Sequence, residues 1–367
     1  MLCYCRAYNH NRNTPMLLRR RNGSRSLSVF LFLPLVALLS ACGGSSSSSG
    51  SSGSGGGGAA LAEPTFETEL ATLNQSLVCN PFTETGPVVL LVHGTFTHGE
   101  EQWSWNYEPL LLEQGYDVCI VTYPDRGLGD AQISAEYIVN AIDQIADTGR
   151  KVSIIGHSQG GMGPRWAVRW WPSLRDKIDD MILLASPNHG IDIAALSDLG
   201  LPVPAVFFQF RSDSNYMQAL NSEDETPGEI DYSNIYTQFD ELVQPVSPVP
   251  TAALDWQQGN PKVANILIQD VCPGRIVEHA TIGLTDRATF ELVLDALANP
   301  GPASPERAGG EICGLLPFLP EPALSPSLLT DFLDVFASEG AQGFPDLSLA
   351  TEEPPLKSYA QSAAVTE

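Results

Sequence analysis

The stretch Val152-Ser153-Ile154-Ile155-Gly156-His157-Ser158-Gln159-Gly160-Gly161 decides the fold. A short apolar run of the kind that forms a buried strand leads directly into Gly-x-Ser-x-Gly, and residues 160–171 then favour a helix that ends at Pro172. This order of strand, motif and helix is typical of a nucleophile elbow, a tight turn that presents a serine hydroxyl at a helix N-terminus. The alternative is a glycine-rich structural turn with an ordinary serine. We predict that Ser158 is a nucleophile.

Apolar strands and amphipathic helices alternate on both sides of this motif. Five further runs predict strands, at residues 88–92, 118–122, 181–184, 234–239 and 264–268, and helical spacing predicts a helix over 131–146. Near-continuous apolar strands that alternate with helices indicate a mostly parallel central sheet flanked by helices on both faces. The sequence therefore predicts an α/β fold.

The order of the strands also predicts the partners of Ser158. A serine nucleophile needs a base that a carboxylate orients, and in this architecture the chain order is serine, acid, histidine. His279 is the only one of the six histidines that follows the last two predicted strands. Asp240 comes directly after the run at 234–239, and Asp270 is its main rival. We predict a triad of Ser158, Asp240 and His279.

The end of the first predicted strand supplies a second element of chemistry. Acyl transfer needs hydrogen-bond donors aimed at the oxygen that becomes negatively charged. One donor is expected from the backbone of Gln159, after the nucleophile, and another from the loop that follows His93-Gly94-Thr95. We predict an oxyanion hole formed by Thr95 and Gln159, with a plain strand-ending glycine turn as the alternative.

Residues 1–41 have the pattern of a secretory signal peptide, with Met16 as the predicted start. A basic segment precedes an apolar run at 27–39 that is too short to span a membrane. The run ends in Leu39-Ser40-Ala41-Cys42, which resembles the lipobox of bacterial lipoproteins, in which the cysteine is lipidated. The alternative is an ordinary signal peptide cleaved after Ala41.

A flexible linker is predicted over residues 42–62, because residues 43–58 are eight Gly and eight Ser. A spacer directly after an anchoring cysteine suits a tethered domain. We expect the protein to be exported and held by a lipid at Cys42 to a bacterial membrane, at the outer membrane or cell surface, or else secreted. The catalytic domain is predicted over 63–367.

The charge of the chain excludes some partners. It has 19 Lys+Arg and 43 Asp+Glu, a net charge of −24, and six arginines precede residue 42, where no acidic residue lies. The remainder has 13 basic and 43 acidic residues, a net charge of −30. Excess carboxylate disfavours binding to nucleic acid and electrostatic docking on anionic lipid. We predict no nucleic-acid partner, and we expect a monomer.

Four cysteines remain when those before the predicted domain are set aside: Cys79, Cys119, Cys272 and Cys313. In an exported chain they suggest two disulfides, for which the sequence alone allows three pairings. None has the Cys-x₂₋₄-Cys spacing of a zinc site. We predict no metal ion and no cofactor.

Several segments are similar to one family. Residues 236–245 around Asp240, residues 271–280 around His279 and Ser158-Gln159-Gly160-Gly161 resemble the matching segments of Candida antarctica lipase B-like lipases of the α/β-hydrolase superfamily. The similarity runs from about residue 73 to residue 314 and more weakly to residue 359. The resemblance implies hydrolysis of carboxylic esters by the triad and oxyanion hole named above. It also implies disulfides Cys79–Cys119 and Cys272–Cys313.

One departure limits what the resemblance implies. His157 stands where the yeast lipase has a tryptophan that lines its alcohol-side pocket, so enantioselectivity is not carried over. Because His157 adjoins the nucleophile, we expect its side chain to point elsewhere.

Two apolar segments concern the substrate. Residues 191–233 form a long connection rich in Leu, Val and Phe, and we predict a cap that lines an acyl pocket, with a helix packed on the core as the alternative. Residues 328–336 suggest an amphipathic helix that resembles the mobile pocket helix of the family. The expected partner is an apolar ester or a lipid–water interface.

We therefore predict a serine hydrolase, a triacylglycerol lipase or carboxylesterase that cleaves acylglycerols or similar apolar esters through an acyl-enzyme at Ser158. An extracellular polyester depolymerase or an acyltransferase with the same triad is the alternative among enzymes. A non-catalytic surface binding protein with a hydrolase fold is the alternative from another class.

Overall fold

A computed structural model describes residues 63–83, 88–191, 202–314 and 349–361. The chain divides into two units, Met1–Ala59 and Ala60–Glu367, and only the second contains described residues. The predicted signal peptide, the lipidation site Cys42, the linker, residues 192–201 of the predicted cap and the predicted helix at 328–336 lie outside the described residues.

The described residues contain one seven-stranded sheet and one two-stranded sheet. The strands are β1 (Leu77–Cys79), β2 (Val88–Val92), β3 (Asp117–Val121), β4 (Val152–His157), β5 (Ile178–Leu184), β6 (Val203–Pro204), β7 (Asp231–Tyr236), β8 (Val263–Leu267) and β9 (Leu349–Ala350). The large sheet has the order β1-β3-β2-β4-β5-β7-β8, and β6 pairs with β9. In the large sheet every pair is parallel except β1 with β3.

The helices of the described residues follow or precede these strands. They are α1 (Leu70–Gln75), α2 (Gly99–Trp103), α3 (Tyr107–Glu113), α4 (Ala131–Ala146), α5 (Gln159–Trp170), α6 (Ala205–Gln209), α7 (Asn215–Leu220), α8 (Ile268–Val271), α9 (His279–Leu284), α10 (Arg287–Ala298) and α11 (Pro305–Ala308). Short 3₁₀ turns lie at Pro124–Gly127, Pro172–Lys177 and Gly310–Cys313. Aspartates cap α4 and α10, two of the three long helices that flank the sheet: the side chain of Asp130 accepts from Gln132 N, and that of Asp286 accepts from Thr289 N.

The sheet is buried on both faces, as its continuous apolar strands predict. All five residues of β2 are buried, and alternate side chains enter two separate core clusters. Val88, Leu90 and Val92 join the cluster that contains α4 and α5, whereas Val89 and Leu91 join the cluster that contains α10. The α/β prediction is therefore confirmed.

The prediction for the strand before Asp240 was shifted. The sequence indicated residues 234–239, but β7 spans Asp231–Tyr236, and Asp240 lies in the loop beyond it. Phe239 extended the apolar pattern, yet it is 40% exposed and belongs to that loop. The short elements β1, α2 and α3 were not predicted.

Both disulfides implied by the family resemblance are present. Cys79 and Cys119 face each other across β1 and β3. Cys272 directly follows α8 and is bonded to Cys313. Among the described residues, no helix combines the length and apolar character that crossing a membrane requires.

The parallel strands bring the predicted site residues to one edge of the sheet. Their carboxyl ends all lie at that edge, so the loops that follow β2, β4 and β7 meet there. These loops carry Thr95, Ser158 and Asp240 respectively, and His279 begins α9, after β8.

Candidate active site

Ser158 lies in a tight turn between β4 and α5. Its backbone has φ 55° and ψ −123°, a left-handed conformation that residues with a side chain rarely adopt. A Cβ on Gly156 would lie 2.1 Å from the carbonyl oxygen of Gly160, and a Cβ on Gly160 would lie 2.2 Å from that of Val92. Only glycine fits at both positions, so the motif is required by close backbone contacts, and it presents the hydroxyl at the start of a helix.

The three predicted triad residues are in hydrogen-bond contact. His279 Nε2 lies 3.0 Å from Ser158 Oγ, and His279 Nδ1 lies 2.8 Å from Asp240 Oδ2. Because a carboxylate only accepts, Nδ1–H donates to Asp240, which leaves Nε2 to accept from the serine hydroxyl. This is the arrangement that lets a histidine act as a general base toward a hydroxyl. The rival Asp270 lies in α8 and is exposed.

Asp240 is held as a carboxylate although it is only 4% exposed. Its second oxygen, Oδ1, accepts from the backbone N–H groups of Leu242 and Val243, at 2.8 and 2.7 Å. Burial alone would raise the pKa of Asp240, but the hydrogen bond and charge of His279, together with these two N–H groups, outweigh it and lower the pKa. Asp240 is therefore ionised at neutral pH and fixes the orientation of the imidazole.

Side chains that the sequence did not indicate hold the loops of Asp240 and His279 together. Glu241 Oε2 accepts from the backbone N–H of His279, at 3.1 Å. The hydroxyl of Thr237 donates to the carbonyl oxygen of Val277, at 2.9 Å, and Gln269 Nε2 donates to Thr237 Oγ1, at 2.8 Å. The distance between acid and base is therefore fixed on both loops.

Thr95 and Gln159, the predicted oxyanion residues, lie side by side. Gln159 is the first residue of α5, where backbone N–H groups have no partner within the helix. The hydroxyl of Thr95 donates to Gln159 Oε1, at 2.7 Å. A Cβ on Gly94 would lie 3.2 Å from His157 O and 3.3 Å from Ser158 Cβ, so the preceding backbone lies against the nucleophile turn.

The loop that carries Thr95, residues 93–97 and here called the oxyanion loop, is held by a buried arginine. Phe96 has φ 69°, and its N–H donates to the carbonyl oxygen of Arg126, at 2.8 Å. The guanidinium of Arg126 donates to Phe96 O, at 3.3 Å, and to both carboxylate oxygens of Glu101, at 2.5 and 3.0 Å. Burial would raise the pKa of Glu101, but Arg126 outweighs it and lowers the pKa. The sequence did not indicate either residue.

His157 points away from the substrate side of Ser158, as expected. It is 6% exposed, its Nε2 lies 2.9 Å from the carbonyl oxygen of His279, and its Nδ1 lies 3.2 Å from Gln102 Nε2. Burial lowers its pKa to about 3, so the ring is neutral. His93 is also buried with a pKa of about 3 and stacks on Tyr123, with ring centroids 3.8 Å apart.

A small cavity and part of the predicted cap lie next to the oxyanion residues. A cavity of ≈ 10 Å³ behind Gln159, bounded also by Tyr123 and Tyr216, has room for about one water molecule and none for an acyl chain. In the described part of the predicted cap, Val206, Phe208 and Phe210 are buried in or against the core. Phe207 instead lies near Phe96, with ring centroids 6.0 Å apart.

Four large exposed apolar side chains lie close to the site residues along the chain. Phe96, Phe239, Leu242 and Ile276 are 38%, 40%, 49% and 80% exposed, and each lies within a few residues of Thr95, Asp240 or His279. We call these four residues the apolar rim. Among the described residues, no group of three or more His, Cys, Asp or Glu is arranged to hold a metal ion.

Comparisons with known proteins extend the similarity well beyond the motifs. Residues 89–323 match the model of the Alpha/beta hydrolase family. The chain is 31% identical over 265 residues to Lipase B of Pseudozyma antarctica, with 70% of this chain and 75% of that protein covered. The crystal structure of Aspergillus fumigatus lipase B superposes with a TM-score of 0.71 at 25% identity, covering 82% of this chain and 74% of that one.

Proposed function

This chain belongs to the α/β-hydrolase family, and from that premise we propose that it cleaves acylglycerols or similar apolar esters, as a lipase or carboxylesterase. The observation that carries the proposal is the pair of hydrogen bonds that joins Ser158 to His279, at 3.0 Å, and His279 to Asp240, at 2.8 Å. This geometry activates a hydroxyl at neutral pH without another group.

In the proposed reaction, Ser158 Oγ attacks the ester carbonyl carbon while His279 Nε2 takes the hydroxyl proton. The carbonyl oxygen becomes negative and accepts from the backbone N–H of Gln159, at the start of α5, and from that of Thr95, in the oxyanion loop. His279 then gives its proton to the departing alcohol, which leaves an acyl group on Ser158. Water, deprotonated by His279, releases the acid and restores the serine.

The apolar rim supports an apolar substrate. Large exposed apolar side chains are costly in water, and here each lies within a few residues of Thr95, Asp240 or His279 in the sequence. The mature chain carries a strong negative charge, which favours neutral lipids and esters over anionic ones. We propose a neutral apolar ester, presented singly or at a lipid–water interface, as the substrate.

We also propose that the protein acts at a bacterial membrane as a lipid-anchored monomer. The support is the sequence pattern at Leu39-Ser40-Ala41-Cys42, followed by the Gly/Ser-rich linker. A single acyl chain gives only reversible binding, so anchoring of this kind needs the additional chains that a lipoprotein cysteine carries. Replacing Cys42 with Ser is expected to release the protein into the soluble fraction. Unchanged membrane retention would refute lipidation.

The central test is Ser158→Ala. We expect hydrolysis of p-nitrophenyl esters to fall to background while the circular dichroism spectrum and Tm stay close to those of the wild type. A fluorophosphonate probe is expected to label the wild type at Ser158 and to leave the variant unlabelled. Undiminished turnover by the variant would overturn the proposal, and a wild type that the probe does not label would support a binding protein instead.

Ser153→Ala is the matched control, because Ser153 lies in the same strand, β4. Its hydroxyl donates to Asp180, at 2.6 Å, near the amino end of the strand and five positions before Ser158. We expect a lower Tm and an unchanged turnover per labelled site. A series of esters from acetate to long acyl chains, run beside clearing of a polyester film, distinguishes a lipase from a polyester depolymerase.

A further inference from the structure

A chain of hydrogen bonds joins the oxyanion loop to the backbone of the base. The N–H of Gly94 donates to Gln102 Oε1, at 2.8 Å, and Gln102 Nε2 faces His157 Nδ1, at 3.2 Å. His157 Nε2 in turn faces the carbonyl oxygen of His279, at 2.9 Å. Two side chains thus connect the loop that carries one predicted oxyanion donor to the residue that carries the proton.

The direction of every bond in this chain follows from its two ends. The backbone N–H of Gly94 only donates, so Gln102 must turn its oxygen toward it and its amide nitrogen toward His157. The ring must then accept at Nδ1 and carry its proton on Nε2, where the carbonyl of His279 only accepts. The hydroxyl of Thr97 donates to the same Gln102 oxygen, at 2.9 Å, which agrees with this orientation of the amide. A neutral His157 imidazole with its proton on Nε2 therefore satisfies the hydrogen bonds of every group in this network.

The ring of His157 is also enclosed by its neighbours. A Cβ on Gly283 would lie 2.1 Å from His157 Cδ2, so α9 packs directly on the imidazole. The centroids of the His157 and His279 rings are 5.1 Å apart. Gln102 is 3% exposed and His157 is 6% exposed, so water does not readily replace a partner that is removed.

We propose that His157 is a positioning residue. Through hydrogen bonds at its two ring nitrogens, it fixes the position of the base His279 relative to the oxyanion loop. The proposal rests on the proposed function, because it assigns this ring a task in that reaction. His279 is the first residue of α9, so a bond to its carbonyl fixes where the helix begins and where the base lies. A displacement of about 1 Å at a reacting group costs about a hundredfold in rate.

The test compares His157→Phe with Gln102→Leu and with the double variant. Phenylalanine keeps a planar ring, slightly larger than imidazole, and removes both ring nitrogens, so we expect kcat per fluorophosphonate-titrated site to fall about 10- to 100-fold with KM changed less than threefold. Gln102→Leu is expected to lower kcat by a similar factor. Because both residues belong to one chain of hydrogen bonds, kcat of the double variant should be no lower than that of the poorer single variant.

An arylboronic acid supplies a readout that loss of stability alone would not move. Boronates add to the serine hydroxyl and imitate the tetrahedral intermediate, so their Ki reports on nucleophile, base and oxyanion donors together. We expect Ki for His157→Phe to rise by the factor by which kcat/KM falls. His157→Gln keeps a donor and an acceptor in the side chain and is expected to recover part of the rate.

His189→Phe is the matched control. His189 also bonds a backbone carbonyl and a side chain, Thr251 O at 3.1 Å and Glu225 at 2.8 Å, but neither partner is a triad residue. We expect a lower Tm with kcat per titrated site unchanged. If His157→Phe fails to fold, Gln102→Leu with the boronate carries the test.

The proposal is overturned if His157→Phe or Gln102→Leu retains kcat and boronate affinity within twofold of the wild type. It is also overturned if the two losses multiply in the double variant. Either result, obtained while Ser158→Ala is inactive, leaves the esterase proposal intact. An active Ser158→Ala variant would instead defeat the proposed function itself.

Discussion

The acid–base side of Ser158 and its oxyanion side are held by different kinds of interaction. On the first side, a buried carboxylate with two backbone N–H donors orients His279 through a charge-assisted hydrogen bond. On the second side, the predicted donors are backbone N–H groups, and glycines that tolerate no Cβ set their position. The Glu101–Arg126 ion pair supports that side from the periphery of the oxyanion loop.

The two sides should differ in how a loss of activity depends on pH. The acid–base side depends on which atoms carry protons, so its failure should be chemical and dependent on pH. The oxyanion side depends on where backbone atoms lie, so its failure should be geometric and independent of pH. Substitutions on each side test this difference.

The largest loss is expected from Asp240→Asn. The carboxamide leaves the shape of the loop intact but can donate to Nδ1, which moves the imidazole proton to Nε2, the atom that must accept from Ser158. We expect kcat at neutral pH to fall about 10⁴-fold with KM little changed. Asp270→Asn, a substitution of the exposed rival carboxylate, serves as the control and should keep full activity. An equal loss in that control would contradict the assignment of Asp240.

The next effect is expected from Thr95→Val, on the oxyanion side. Valine keeps the backbone N–H and the side-chain volume but loses the hydroxyl that bonds to Gln159 Oε1. We expect kcat to fall roughly 10- to 100-fold, somewhat less than the loss of a whole oxyanion donor. The factor should be the same at every pH between 6 and 9, unlike the loss in Asp240→Asn. Thr95→Ser restores the hydroxyl and should recover most of the rate.

The sequence predicted the three residues that the structure brings into hydrogen-bond contact, because Ser158 and Asp240 lie close to strand ends and His279 lies beyond the last strand of the large sheet. Ser158 follows β4 directly, and the chain order left His279 as the base. Asp240 was found even though β7 ends three residues earlier than predicted, because the loop keeps the residue at the same edge of the sheet. Local pattern and topology suffice for such residues.

The sequence did not predict the contacts that support His279 and the oxyanion loop. Gln102 lies in a five-residue helix and meets His157, 55 positions along the chain, which in turn meets His279, 122 positions further on. Arg126 reaches Glu101 from a short 3₁₀ turn with left-handed residues. Contacts of this kind depend on how loops from different strands pack, and no periodicity in the chain records them.

A third prediction concerns the pH dependence of the stability of the folded protein. His93 and His157 have a pKa of about 3 in the folded protein against 6.5 when exposed, because burial disfavours their charged forms. The unfolded chain therefore binds more protons below pH 6.5, so stability is fully present above that pH and is lost as the pH falls toward 3. Asp240, with its lowered pKa, loses its contribution only below its ordinary value of 3.8.

Urea unfolding at intervals of half a pH unit measures this slope. Each histidine should contribute about 1.4 kcal/mol per pH unit between pH 6 and pH 4, which is a tenfold change in the folding constant. His157→Phe should reduce the slope of the unfolding free energy against pH by the contribution of one histidine and leave the contribution of His93. A slope that is the same in the variant and the wild type would show that His157 does not titrate on unfolding.

The smallest effect is expected at the periphery of the oxyanion loop, from Glu101→Gln. The amide keeps the shape and one acceptor for Arg126 but removes the charge, and a partly exposed ion pair contributes about 1 kcal/mol or less. If all of that free energy acts on the loop, the fraction of molecules with Thr95 in place changes by no more than about fivefold, so kcat should fall two- to fivefold. The exposed pair Lys151–Asp179 gives the control, Asp179→Asn, with no change in kcat.

Salt gives a second test of the Glu101–Arg126 pair. Because salt screens this pair, 1 M NaCl should narrow the difference in kcat between Glu101→Gln and the wild type. A geometric loss such as that of Thr95→Val should not respond to salt. A Glu101→Gln loss as large as that of Thr95→Val would mean that charge, and not backbone packing, positions the oxyanion side.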